Sequence, residues 1–169
     1  MLLLLFGLAF SQNLPAESVY QTPESFLADA FNNQPPAPEM LWLTEETKAT
    51  IERILGHRYA SLRIRYWRQG ERSAWILEEI GKERPITIGF VVNNDTLEKV
   101  RVLVFRESRG DEVRHPFFTT QFTGAALRAD LALDRPIDGI TGATLSVRAL
   151  IKTARLALYL HRITGQSRQ

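Results

Sequence analysis

The stretch ITIGFVVNNDTLEKVRVLVF, residues 86–105, decides the fold. Ile86, Ile88, Phe90 and Val92 recur at every second position, and so do Val100, Val102 and Val104 after a break. A period of two is that of a pleated strand, whose successive side chains point to opposite faces. The break, Asn93-Asn94-Asp95, is turn chemistry, and so short a link joins antiparallel neighbours. Two further strand-like segments precede it. Arg63–Arg68 leads into Gln69-Gly70-Glu71, and Ala74–Ile80 leads into Gly81-Lys82-Glu83. Four strands with tight links predict an antiparallel meander with one face to be covered.

The segments that can cover it have a different period. From Leu145 to His161, the residues Val147, Leu150, Ile151, Ala154 and Leu158 fall on one side of a helix. Arg148, Lys152, Arg155 and Arg162 fall on the other, first read as a solvated face and second as peripheral contact with anionic lipid or an acidic partner. Before the strands, LTEETKATIERILGHR starts at Leu43, with Thr44 as N-cap, Gly56 as stop and Ile51, Ile54 and Leu55 as the apolar face. The predicted architecture is α+β: a β-sheet meander packed against a C-terminal helix, with an N-terminal helix before the sheet. Residues 43–164 form its single domain.

The N-terminal stretches read differently. MLLLLFGLAFSQ is a short apolar run ending in Ala9-Phe10-Ser11, which resembles the end of a secretory signal peptide over residues 1–11. It is too short to cross a hydrocarbon core of about 30 Å as a helix. Residues 12–42 are polar and proline-bearing, ending near QPPAPE (34–39), and read as a linker or loosely docked arm. Phe26, Leu27 and Phe31 suit a short helix there. Bulk composition narrows the chemistry. With no cysteine among 169 residues, disulfides, cysteine–zinc sites, iron–sulfur clusters and thiol nucleophiles are excluded. A net charge of +2 from 21 basic and 19 acidic residues, interleaved along the chain, argues against nucleic acid.

DGITGATLSVRAL, residues 138–150, places small and hydroxylated residues where the last helix begins. A helix entrance offers unpaired N–H groups and the positive end of the macrodipole to an anion. Gly142 and Ala143 let a bulky group approach the backbone. Thr141 or Thr144 can equally serve as a plain cap; on spacing alone that is the simpler reading.

The pattern D-x-x-[ST]-G-A-[ST], met by Asp138, Thr141, Gly142, Ala143 and Thr144, resembles the flavinylation signature of the FMN-binding domain family. That family includes the FMN-carrying subunits of sodium-translocating NADH:quinone oxidoreductases. The resemblance extends over about 85–161, through the strand–turn–strand and FFTTQFTG (117–124). It implies FMN esterified through its phosphate to Thr144, installed by a magnesium-dependent flavin transferase that uses FAD. It places Glu107, Ser108 and Gly110 in a cofactor-side loop, with Gln121 and Phe122 further candidates for contact. The loop reads Glu-Ser-Arg-Gly rather than Glu-Thr-Pro-Gly, and Ser146 is a competing hydroxyl. His115 and the phenylalanines 117, 118 and 122 read more simply as a loop histidine and core. Nothing matches a nicotinamide fingerprint or a nucleophile elbow, and no catalytic or metal residue is assigned. The expectation is an exported electron carrier, periplasmic or otherwise extracytoplasmic and either free or membrane-associated, between membrane or periplasmic redox partners, more than a stand-alone enzyme. The alternative is a non-redox binding or assembly module of the same fold without flavin.

Overall fold

The structure, a computed structural model, describes residues 17–166. The leader assigned to 1–11 and residues 12–16 of the polar segment lie outside the described residues. Strands β1 (Ser18–Val19), β2 (Glu39–Trp42), β3 (Arg63–Gln69), β4 (Arg72–Ile80), β5 (Pro85–Asn93) and β6 (Thr96–Phe105) form one sheet in the order β1-β6-β5-β4-β3-β2. Every pairing is antiparallel. The four expected strands are therefore the centre of a meander, to which β2 adds one edge and β1 the other.

One face is covered as expected. Helix α4 (Thr144–Gln166) lays Val147, Leu150, Ala154 and Leu158 into the main core, where they meet Trp75, Ile88 and Phe90 of the sheet. Helix α2 (Glu45–Leu55) adds Ile51, Ile54 and Leu55. Its ends follow local chemistry: Thr44 Oγ1 accepts the N–H of Thr47 at 3.2 Å, and Gly56 closes the helix in the left-handed region.

The second face is covered too, which the meander pattern did not reveal. Helix α1 (Pro23–Ala30), capped by Thr22, packs Phe26, Leu27, Ala30 and the following Phe31 on Ala74, Val91, Leu103 and Val104. Most of the segment read as a linker or loosely docked arm is thus built into the fold. Burying a phenylalanine such as Phe26 is worth about 1.5–3 kcal/mol, enough to hold a short helix that propensity alone would not form. Gly89 makes room for it: a Cβ there would lie 2.7 Å from the Phe26 ring.

Two expectations about faces change. Val100 pairs with Phe90 and Val102 with Ile88, but Val104 pairs with Thr87. The extra residue is a β-bulge that reverses the alternation, so Val104 joins Leu103 on the α1 face instead of following Val102 toward α4. The basic side of α4 is also more than a solvated stripe. The guanidinium of Arg155 donates to Leu131 O, that of Arg162 donates to Leu127 O at 2.6 Å, and Lys152 lies 3.7 Å from the Glu79 carboxylate. Arg148 alone of the four is exposed, and the other three are half-buried. Among the described residues, no helix is long and apolar enough to cross a membrane.

Candidate functional site

The chain enters α4 through a tight turn. Ala143 N–H donates to Ile140 O at 3.0 Å, and Gly142, third in the turn, has φ 85°, a value that excludes most side chains. Ala143 O accepts the N–H of Val147 at 2.9 Å, which makes Ala143 the cap and Thr144 the first helical residue. A methyl group accepts no hydrogen bond, so the N–H groups of the first turn receive no side-chain cap from Ala143. Neither Thr141 nor Thr144 supplies one among the described residues, although capping was the simpler reading of both.

The three candidate hydroxyls differ in access. Thr144 is exposed, and so is Thr141 in the turn before the helix. Ser146 is buried at 4 % exposure beneath the backbone of Gly110. A Cβ added at Gly110 would stand 2.6 Å from Ser146 Oγ, so only a residue without a side chain lets the loop lie this close. The expected cofactor-side loop and the motif turn are therefore neighbours, with Gly110 against Ala143 and Ser146. At Gly139 and Gly142 an added Cβ would meet nothing within 4 Å, so the approach to the turn is open. A reachable hydroxyl, a helix entrance with no cap and open space beside it form a donor set suited to an esterified phosphate. Arg148, one turn on from Thr144, can add positive charge on the same side of the helix.

The other expected residues divide. Gln121 meets the motif directly: its Oε1 accepts the N–H of Asp138 at 2.7 Å. Asp138 itself is exposed, as is Ser108. Glu107 is committed to another turn: its Oε1 accepts the N–H groups of Lys82, Glu83 and Arg84 at 2.5, 2.7 and 2.9 Å. Partial burial pushes its pKa up, but these donors more than offset that and hold it below the ordinary carboxylate range. Its role here is to fix the turn between β4 and β5. Phe122, expected as a possible contact, is fully buried and stands edge-on to Phe118 at 5.6 Å, which makes it core. Phe117, on the short helix α3 (Pro116–Thr119), is 63 % exposed with the His115 ring 6.1 Å away.

Two residues that the motif did not announce hold the approach to it. Arg135 donates to Thr123 O at 3.1 Å and Gly124 O at 2.8 Å, and its neighbour Asp134 accepts the N–H of Ala126. The Arg135 guanidinium and that N–H keep the Asp134 carboxyl below its usual pKa. Nothing local in DRPID signals this clamp, because its partners lie about ten residues upstream.

Ser73, His161 and Asp95 assemble elsewhere in a superficial likeness to a hydrolytic triad. Ser73 Oγ is 2.7 Å from His161 Nδ1, and His161 Nε2 is 3.8 Å from Asp95 Oδ1. Ser73 is fully buried, however, and its oxygen accepts the indole N–H of Trp75 at 2.7 Å. Burial first, and the adjacent Arg68 guanidinium second, lower the His161 pKa to about 4. A neutral imidazole facing an enclosed hydroxyl joins strands to helix and offers no nucleophile to a substrate. Among the described residues, no cluster of histidine and acidic side chains could hold a metal ion.

No curated protein and no solved structure matches the chain. A family model does, over the segment that begins at the turn held by Glu107, runs through β5, β6 and the Gly110 loop, and ends within α4. Residues 81–159 match the FMN-binding domain family, and this match supports flavin binding by that segment of the chain.

Proposed function

We propose that FMN is held covalently, through a phosphoester to Thr144 Oγ1, and that the protein relays electrons outside the cytoplasm. The observation that carries this reading is the accessibility of Thr144 at the uncapped entrance of α4, with the competing Ser146 buried under Gly110. In the attachment step a flavin transferase uses FAD and magnesium. The Thr144 hydroxyl oxygen forms the new bond to the FMN phosphorus, the FAD pyrophosphate link breaks, the hydroxyl proton is lost and AMP leaves. The bonded phosphate keeps a negative charge, which the first-turn N–H groups and the helix macrodipole stabilise by about 0.3–1 kcal/mol or more. Asp138, Thr141 and the Gly142-Ala143 pair would serve recognition by the transferase and access to the hydroxyl.

Bound FMN supplies one- and two-electron redox chemistry. The chain provides the mooring, the loop Glu107–Gly110 beside it and the exposed Phe117 nearby in sequence, with no assigned catalytic group of its own. A covalent link suits an exported protein, because a lost cofactor would have no pool outside the cytoplasm from which to rebind. Membrane or periplasmic redox proteins are the donor and acceptor in this reading.

The test is an intact mass of protein co-produced with a flavin transferase in the periplasm. The expected result is an FMN adduct and a fluorescent band after denaturation, both lost in Thr144→Val and retained in Thr144→Ser. An adduct that persists in Thr144→Val moves the attachment to Thr141. Wild-type protein with no adduct, and no yellow colour released on denaturation, supports the non-redox module instead.

A further inference from the structure

The strand β1 lies outside residues 81–159, yet it holds the loop that reaches the flavin-attachment turn. Ser18 pairs with Phe105 and Val19 with Val104, at the end of β6 from which the loop departs. The Glu17 carboxylate is 3.1 Å from the Arg106 guanidinium. Tyr20 makes the longest reach: its hydroxyl donates to Asp111 Oδ2 at 3.4 Å, and the Arg114 guanidinium stands 4.6 Å from its ring centroid. Arg114 in turn donates to Asp111 at 3.3 Å, which closes a three-residue cluster over the 3-10 turn Asp111–Arg114. The residue just before that turn is Gly110, whose opposite contact is with Ala143 and Ser146 at the entrance of α4. The loop is therefore held between Tyr20 and the first turn that bears Thr144.

A cleft of about 420 Å³ opens along this loop. Ser18 and Tyr20 line it from the N-terminal strand, and Phe105, Glu107, Ser108 and Asp111 line it from β6 and its loop. Its volume falls in the range of small-molecule sites, and its lining mixes aromatic surface with a few polar groups. Tyr20 is 39 % exposed, so its ring is not consumed by packing. A two-residue strand fixes little by itself; the Glu17–Arg106 ion pair holds the start of the loop, and the Tyr20 contacts reach further, to Asp111 and Arg114.

We propose that Tyr20 is a positioning residue of the flavin site, contributed by a segment outside the matched domain: it fixes the loop Glu107–Arg114 and so shapes the surroundings of the flavin ring system. The proposal rests on the flavin reading above. Bound flavin is an aromatic, hydrogen-bonding group whose potential and emission respond to nearby side chains, so displacement of this loop alters both without touching the phosphoester.

Tyr20→Ala and Tyr20→Phe test this with two independent readouts. The first is amide exchange in protein without flavin. Exchange over residues 108–115 rises tenfold or more in Tyr20→Ala and stays near wild type in Tyr20→Phe, which keeps the ring under Arg114. The second is the flavin signal of transferase-treated protein. The adduct mass is unchanged in both variants, while Tyr20→Ala alters flavin emission at least twofold and shifts the midpoint potential; Tyr20→Phe returns both toward wild type. Unchanged exchange in Tyr20→Ala overturns the proposal. So does a loosened loop with unaltered emission and potential, since the loop would then be remote from the ring. Wild-type protein without any flavin sinks the role at the cofactor through the mass measurement, while exchange still reads the restraint on the loop separately.

Discussion

Protonating His161 would place a second positive charge beside Arg68 in a site only 2 % exposed. Its Nδ1 instead accepts hydrogen bonds from the Ser73 hydroxyl and the Arg68 guanidinium, so the ring proton sits on Nε2, toward Asp95. The folded pKa of about 4 lies below the ordinary 6.5. The unfolded chain therefore binds the proton more readily between those values, and stability falls as pH drops from 6.5 to 4. The loss from this group is about 3 kcal/mol at pH 4 relative to pH 7. His57 acts with the opposite sign: the Arg58 carbonyl first and the Glu79 carboxylate next raise its pKa, so its contribution is present below 6.5 and fades as pH rises. Urea unfolding at several pH values, with His161→Gln as the comparison, isolates the first effect because the His57 contribution is common to both proteins. The variant is expected to lose most of the slope between pH 6.5 and 4; an equal slope would show that His161 titrates normally. At this scale the motif was legible because Asp138 to Thr144 are contiguous and each residue type has a reason. Gln121, Arg135 and Tyr20 were not legible in these roles, since their partners lie 11 to 91 residues away.

Helix α4 shows how much an element can carry that periodicity does not report. Its apolar face was readable from Val147 to Leu158, and the burial follows that pattern. Its basic face gave no such guide, because a guanidinium in solvent and one bonded to a loop carbonyl have the same sequence signature. Arg155 and Arg162 reach the carbonyls of Leu131 and Leu127, which holds the chain on its way to the Asp134–Arg135 clamp and the motif. Hydrogen bonds from charged groups to otherwise unpaired carbonyls are worth about 1.5–3 kcal/mol each, and surface arginines without such partners about 0.5 kcal/mol or less. Arg162→Ala is therefore expected to destabilise by about 1–3 kcal/mol, and Arg148→Ala by less than about 0.5 kcal/mol. Denaturant unfolding of the two variants under one condition decides it; equal, small effects would return the whole face to solvent. Helix α2 is the opposite case. Its cap Thr44 and stop Gly56 are local chemistry, and both boundaries were legible to the residue.

The whole molecule is a sheet enclosed on two faces, not one, and that arrangement explains why its central strand is buried from Ile86 to Val92. Alternation over residues 86–92 suggested a half-covered sheet because Thr87 and Gly89 look like solvent-side positions. Gly89 is instead the seat of Phe26, and Thr87 is buried opposite Val104 at the bulge. The signal that α1 docks was present only as three apolar residues, Phe26, Leu27 and Phe31, in a polar and proline-bearing stretch. Its packing has a direct consequence for the fold. A methyl group at Gly89 would meet three atoms of the Phe26 ring at 2.7–2.8 Å, and a fully buried ring has nowhere to swing. Gly89→Ala is thus expected to destabilise by about 1–3 kcal/mol through overpacking. Phe26→Leu alone removes ring volume and is also destabilising. In the double variant the new methyl occupies part of the space the ring vacates, so its loss of stability is smaller than the sum of the two single losses, by about 0.5 kcal/mol or more. A double-mutant cycle by urea unfolding measures that coupling. Strict additivity, or a neutral Gly89→Ala, would mean that α1 does not sit on the second face, and the segment before the meander would return to being an arm.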